Sequence, residues 1–252
     1  MKTSTEHALA KVPEVTLGFW LIKIAATTLG ETGGDAVSMS MNLGYLVGTA
    51  IFAAIFLAAV VAQVKAKDFH LFLYWTTIIA TTTVGTTLAD FADRSLGIGY
   101  AGGSSLLLAL LLGSLFVWHR TLVFVSVSTV SLPKAEAFYW LTIMFSQTLG
   151  TALGDWTADT AGLGYTGAAV VFGGLLALVV AAYYWTSVSR TLLFWAAFIL
   201  TRPLGAVVGD FLDKPVSAGG LALSRYSASA ALLTFIVVAI LLFRQRAART
   251  AH

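Results

Sequence analysis

A short pattern recurs four times along the chain and constrains its fold more than any other feature. It begins at Phe19-Trp20, Tyr74-Trp75, Tyr139-Trp140 and Phe194-Trp195. Ten residues after each Trp stands a glycine (Gly30, Gly85, Gly150, Gly205), and fifteen after it an aspartate (Asp35, Asp90, Asp155, Asp210). A tyrosine follows at twenty-five in three copies (Tyr45, Tyr100, Tyr165), whereas the fourth has Tyr226 six residues late. Self-similarity at such a period means one supersecondary unit used repeatedly. The units are read as residues 12–66, 67–121, 132–186 and 187–245 of a single domain.

The composition says where such a chain lives. Of 252 residues, 58% are hydrophobic and 11% charged, which is far from a soluble domain and matches an integral membrane protein. Cysteine is absent, which excludes disulfides, thiolate metal sites and a cysteine nucleophile. The net charge of +3 comes from basic residues scattered in short loops, so no nucleic-acid partner is expected. The first apolar run has no small-residue cleavage site after it and is read as a retained span.

A bilayer-crossing helix needs about 20 apolar residues. Eight runs qualify, near 13–34, 43–64, 71–89, 96–118, 137–154, 163–185, 191–209 and 226–243. Each repeat supplies two: an odd span with the Trp, Gly and Asp, and a plainly apolar even one. A longer connector around Thr121 to Leu132 separates two halves of four spans. Lys2, Lys11, Lys65, Lys67, Arg120, Lys134, Arg190, Arg244, Arg246 and Arg249 fall on one side, and Arg94, Lys214 and Arg225 on the other. The positive-inside rule then puts both termini in the cytoplasm, with the bacterial inner membrane as the expected location. Since each repeat crosses twice, the four are parallel repeats about an axis along the membrane normal.

Stepping by four along each odd span follows one helical face. From Trp plus seven the residues are Thr27, Thr82, Gln147 and Arg202; at plus eleven they are Glu31, Thr86, Thr151 and Ala206; at plus fifteen stands the aspartate column. Copy one adds Lys23 at plus three, where the others have Ile78, Ile143 and Phe198. Polar groups in hydrocarbon must face protein or an internal cavity. The pairs Gly30/Gly34, Gly150/Gly154 and Gly205/Gly209, with Gly85/Ala89 as a weaker fourth, permit close backbone approach. The expected fold is an all-α membrane protein with odd helices inside and even helices outside. Trp and the aromatic after the Asp lie about 24 Å apart along a helix, matching two interfacial belts.

Eight of the twelve acids, Glu31, Asp35, Asp90, Asp93, Asp155, Asp159, Asp210 and Asp213, gather where the odd spans approach the far surface. Carboxylates there meet the negative end of each helix dipole and call for a cation or a proton. Oxygen-only ligands suit hard cations such as Mg²⁺, Ca²⁺ or Mn²⁺. Metal ligands are therefore expected at Asp35, Asp90, Asp155, Asp210 and Glu31. Lys23 is expected in a buried ion pair with an acid of a neighbouring helix. Arg202, which precedes the helix-loosening Pro203, is expected to pair with Glu31. These two cations would form a charge relay or gate, and Thr27, Thr82, Gln147, Thr86 and Thr151 would line a path. The ordinary alternative is that Gly-Asp ends each helix and the acid caps it or meets water.

Lys11-Val12-Pro13-Glu14-Val15-Thr16, Phe19-Trp20-Leu21-Ile22-Lys23-Ile24-Ala25 and Thr28-Leu29-Gly30-Glu31-Thr32 carry a resemblance to a bacterial family of uncharacterised membrane proteins built from four tandem repeats. The resemblance covers nearly the whole chain. It implies eight spans, two per repeat with a characteristic Trp, and no activity. Copy four departs from it at Arg202-Pro203 and in the extra residues before Tyr226.

The functional expectation is secondary transport of a divalent cation, Mn²⁺ first, coupled to protons or membrane potential, with no cofactor. Lipid, the cation and protons are the partners; the oligomeric state, a homodimer being one option, is not read from sequence. A scaffold or sensor with structural acids is the alternative, and an organic-cation carrier a third reading. An intramembrane enzyme is disfavoured, because no His, Cys or Ser–base pairing lies in the spans.

Overall fold

The computed structural model describes residues 11–95, 98–122, 133–243 and 245–248. The expected connector beyond Leu122, and Lys2, Arg244 and Arg249 of the charge count, lie outside the described residues. Eight α-helices make up the described fold: α1 (Leu17–Asp35), α2 (Gly44–Lys65), α3 (Leu71–Asp90), α4 (Gly99–Leu122), α5 (Pro133–Asp155), α6 (Gly164–Trp185), α7 (Arg190–Asp213) and α8 (Arg225–Leu242). Six are long and apolar enough to cross a membrane; α1 and α5 are not in that set. The shortfall has a local cause, since α1 buries Lys23, Glu31 and Asp35, and α5 buries Thr142, Ser146, Gln147, Thr148 and Thr151.

Two ends differ from expectation. Helix α1 starts at Leu17 because Thr16 accepts a hydrogen bond from the Phe19 N–H, while Pro13 pairs instead with Ala247 in an isolated antiparallel bridge. Helix α7 runs on to Asp213, and residues 214–224 then fold back on it. The Leu221 and Leu223 N–H groups donate to Phe211 and Leu212, and Gly219 supplies the left-handed turn at φ 87°. The extra residues of copy four build this strap. In copies one to three the Asp is followed instead by a wider π-helical turn, Ala36–Ser40, Phe91–Ser95 or Trp156–Thr160.

The odd helices close a ring in the order α1, α3, α5, α7, each packed on its two neighbours. The aromatic end shows how. Phe19 lies 5.5 Å from Trp75, Tyr74 5.8 Å from Trp140, Tyr139 6.2 Å from Trp195, and Phe194 5.9 Å from Trp20, between ring centroids. Each copy thus touches the next, and the last returns to the first. The odd helices therefore run parallel, with all Trp residues at one end and all Asp residues at the other.

The glycine stripes repeat the same rotation. A Cβ on Gly30, Gly85, Gly150 or Gly205 would strike Thr82, Gln147, Arg202 or Thr27 of the next helix in the ring. One layer further, a Cβ on Gly34, Gly154 or Gly209 would meet Thr86 at 3.1 Å, Ala206 at 3.2 Å or Glu31 at 2.6 Å. The polar stripe of each helix is thus seated on the glycine stripe of its predecessor.

The even helices lie outside. In their apolar windows 11% to 28% of residues are buried, against 67% in α3 and α7. Each even helix packs on the odd helix of the following copy: α2 on α3, α4 on α5, α6 on α7 and α8 on α1. That crossover ties consecutive repeats together. At the Trp end, Lys11 pairs with the buried Glu136 at 2.6 Å, and the Trp75 indole donates to Gln245 at 2.8 Å.

Candidate functional site

The inward faces stack in layers along the ring axis. Below the aromatic layer, Lys23 is fully buried, and Ile78, Ile143 and Phe198, also buried, hold the same register on the other odd helices. No carboxylate lies within ion-pair distance of Lys23 among the described residues, so the expected buried pair is not formed. Its ammonium instead sits 4.2 Å from the centroid of the Phe198 ring and donates to Thr201 Oγ1 at 3.4 Å. The Phe198 ring face and the Thr201 hydroxyl stand where a carboxylate was expected.

The next two layers centre on Arg202, which is also fully buried. Its guanidinium reaches every other odd helix. It donates to Glu31 Oε2 on α1 at 3.1 and 3.2 Å, to the Thr82 carbonyl on α3 at 3.4 Å, and to the hydroxyls of Thr86 and Thr151. The expected Arg202–Glu31 pair is present, with both terminal guanidinium nitrogens on one carboxylate oxygen. Pro203 supports this position, because its ring packs against Gly150. Thr27 donates to the Thr201 carbonyl at 3.1 Å. Several polar atoms in these layers are sealed from solvent yet find no protein partner among the described residues: Thr82 Oγ1, both ends of the Gln147 amide, and Arg202 Nε. Buried polar groups are ordinarily satisfied, so these atoms are unmet donors and acceptors on the axis.

At the far end the four aspartates are buried, and they divide into two bridged couples. Arg94 spans Asp90 at 3.1 Å and Asp155 at 3.3 Å. Lys214 spans Asp210 at 2.9 Å and Asp35. The two cations occupy the same position, four residues after the Asp of copies two and four, where copies one and three have Met39 and Asp159. Arg225 adds contacts to Asp213 at 2.9 Å and Asp35 at 3.7 Å. Burial works against the charge on Lys214, but the Asp210, Asp35 and Asp213 carboxylates outweigh it and hold the ammonium well above the ordinary lysine range.

The expected metal ligands are therefore not one open ring of acids. Asp90 and Asp155 are drawn to Arg94; ligand oxygens of Glu31, Asp35 and Asp210 lie within 4.8 Å of one another, with Lys214 on both aspartates and Arg202 on Glu31. Asp35 Oδ1 in this group has no hydrogen-bond partner among the described residues. Asp93 and Asp213 are buried as well, and Asp159 is exposed. Counting only loop charge for topology hid the roles of Arg94, Lys214 and Arg225; the signal that reveals the first two is their i,i+4 spacing from the repeated aspartates.

A family described as "Repeat of Unknown Function (DUF347)" matches residues 18–69, 73–123, 138–189 and 193–248. The chain belongs to this family. The four matched segments each hold one odd helix and the even helix that follows it, so the family's repeat is the two-helix unit seen in the fold. Neither the comparison with curated proteins nor that with solved structures finds a match.

Proposed function

We propose that this chain spans the bacterial inner membrane eight times, with both termini cytoplasmic, and moves a hard cation along the axis of its odd helices. Helices α1 and α5 cross with the others because their polar faces are covered by neighbouring odd helices rather than by lipid. The charge distribution supports the orientation. Lys65, Lys67, Arg120, Lys134 and Arg190 are exposed at the Trp end, whereas Arg94, Lys214 and Arg225 at the Asp end are each held by carboxylates. Free positive charge is thus concentrated on the side assigned to the cytoplasm.

One observation carries the transport reading: a buried polar column in which six carboxylates, Glu31, Asp35, Asp90, Asp155, Asp210 and Asp213, exceed the four basic groups paired with them, Arg94, Arg202, Lys214 and Arg225, while Lys23 on the same axis lies apart from any described carboxylate. Glu31, Asp35 and Asp210 would take the cation, with Asp90 and Asp155 next along the ring. Lys23 and Arg202 would act as relay and gate, and Thr27, Thr82, Gln147, Thr86 and Thr151 would line the passage. Oxygen donors favour a hard divalent ion, and Mn²⁺ heads the panel to test. No nucleotide-binding motif occurs in the sequence, so a proton gradient or membrane potential would drive the movement.

A second reading, a non-transporting scaffold, draws on the ion pairs: Arg94 and Lys214 already neutralise part of the aspartate layer. Ion flux into proteoliposomes separates the two. Transport predicts flux that Asp210→Asn and Glu31→Gln each abolish; a scaffold predicts none in any of the three proteins.

A further inference from the structure

Position forty-three after the repeat Trp is occupied by Gln63, Trp118 and Tyr183 on α2, α4 and α6. Trp118 is fully buried and fills the groove between α5 and α7. Its ring lies 6.5 Å from Tyr139 and 6.1 Å from Trp195, and stacks 6.4 Å from Phe138. The rotation that relates the copies would place Tyr183 in the corresponding groove between α7 and α1. Tyr183 is instead turned outward, 49% exposed, with the Arg190 guanidinium 4.3 Å from its ring and bonded to its carbonyl.

The groove that Tyr183 leaves is a cavity of about 440 Å³, with Trp20, Ile24, Phe194 and Ala197 on one wall and Val180 and Tyr183 on the other. That volume falls in the range of small-molecule sites, ~300–1,000 Å³. Its lining is mostly apolar, with the exposed Arg190 at its solvent side and the buried Thr201 at its protein side. The adjacent Tyr184 and Trp185 are 74% and 83% exposed, as residues of an interfacial belt are.

We infer that this cavity binds one anionic phospholipid of the cytoplasmic leaflet, its phosphate on Arg190 and an acyl chain between α1, α6 and α7. The inference goes beyond the transport reading and rests only on the membrane placement. The charge selects the occupant: a guanidinium at the rim of an apolar slot matches a phosphate joined to a hydrocarbon tail. The tail would end at Thr201, the residue that accepts from Lys23, so this site adjoins the polar axis.

The test is native mass spectrometry of the detergent-purified chain after delipidation and titration with phosphatidylglycerol or phosphatidylcholine of matched chains. One phosphatidylglycerol per chain should be retained, several-fold more tightly than phosphatidylcholine. Arg190→Gln should erase that preference, and Ala197→Phe should reduce retention of both lipids by filling the slot. If Ala197→Phe does not fold, Val180→Phe fills the same slot from α6. Equal retention of the two lipids by the parent protein, or unchanged retention in a folded slot-filling variant, overturns the inference. Recovery of the chain from cells in soluble form without detergent would overturn the membrane placement instead, which is a separate outcome.

Discussion

Arg202 is the side chain on which the ring is most finely balanced. A guanidinium with no exposure is stable there only because Glu31, Thr86 and Thr151 converge on it from three other helices. Removing one partner of a buried ion pair leaves the other charge uncompensated, at a cost of about 3–5 kcal/mol. Arg202→Met should therefore lower unfolding stability by about that amount, and Arg202→Met with Glu31→Gln should recover part of it, as read by denaturant titration in detergent. An equal loss in the single and double variants would contradict the pairing. This contact was legible in the sequence because Glu31 and Arg202 fall on inward stripes one layer apart. The layer of Lys23 was legible too, since Ile78, Ile143 and Phe198 share its register and none is an acid; the expected ion pair needed a carboxylate from another layer, and none comes within reach among the described residues. The bridges made by Arg94 and Lys214 were missed for a different reason. A loop cation looks like a topology signal until the next repeat's aspartate is brought beside it.

At the level of helices, the glycine stripes set the ring's diameter. A Cβ on Gly205 would lie 2.9 Å from the Thr27 carbonyl carbon, a backbone atom that cannot swing away. Gly205→Ala should therefore destabilise the protein by about 1–3 kcal/mol, the usual cost of overpacking. Gly173 on α6 has no atom within 4 Å of its would-be Cβ, and Gly173→Ala should be neutral or stabilising by up to about 1 kcal/mol through helix propensity. Thermal unfolding of the two variants side by side checks the contrast; the same shift in both would mean that the stripe is not a packing surface. The stripes were visible in the sequence as small residues four apart. What the sequence concealed is that each even helix leans on the next copy's odd helix. An evenly apolar helix such as α6 presents no marked face, so its pattern cannot say which neighbour it covers.

For the whole molecule, a four-fold plan is broken deliberately in the last copy. Copy four contributes Arg202 to the centre of the axis, and its strap carries Lys214 over Asp35 and Asp210 while leading into Arg225. The sequence flagged both departures as irregularities before their shared position on the axis was known. The membrane orientation gives its own check. The chain has no cysteine, so single replacements report cleanly. Lys67→Cys should react with a membrane-impermeant thiol reagent only from the cytoplasmic side, and Val216→Cys, at an exposed position of the strap, only from the opposite side. Labelling of both from one side would refute the assigned topology.

Whether the buried acidic column moves a cation is decided by flux into proteoliposomes. Mn²⁺, Mg²⁺ and Ca²⁺ should be offered in turn under an imposed pH gradient or membrane potential. The parent protein should take up at least one of these ions in a gradient-dependent way, with uptake at background in folded Asp210→Asn and Glu31→Gln. Background uptake of all three ions by the parent, or parental uptake by both variants, would contradict cation movement along the column.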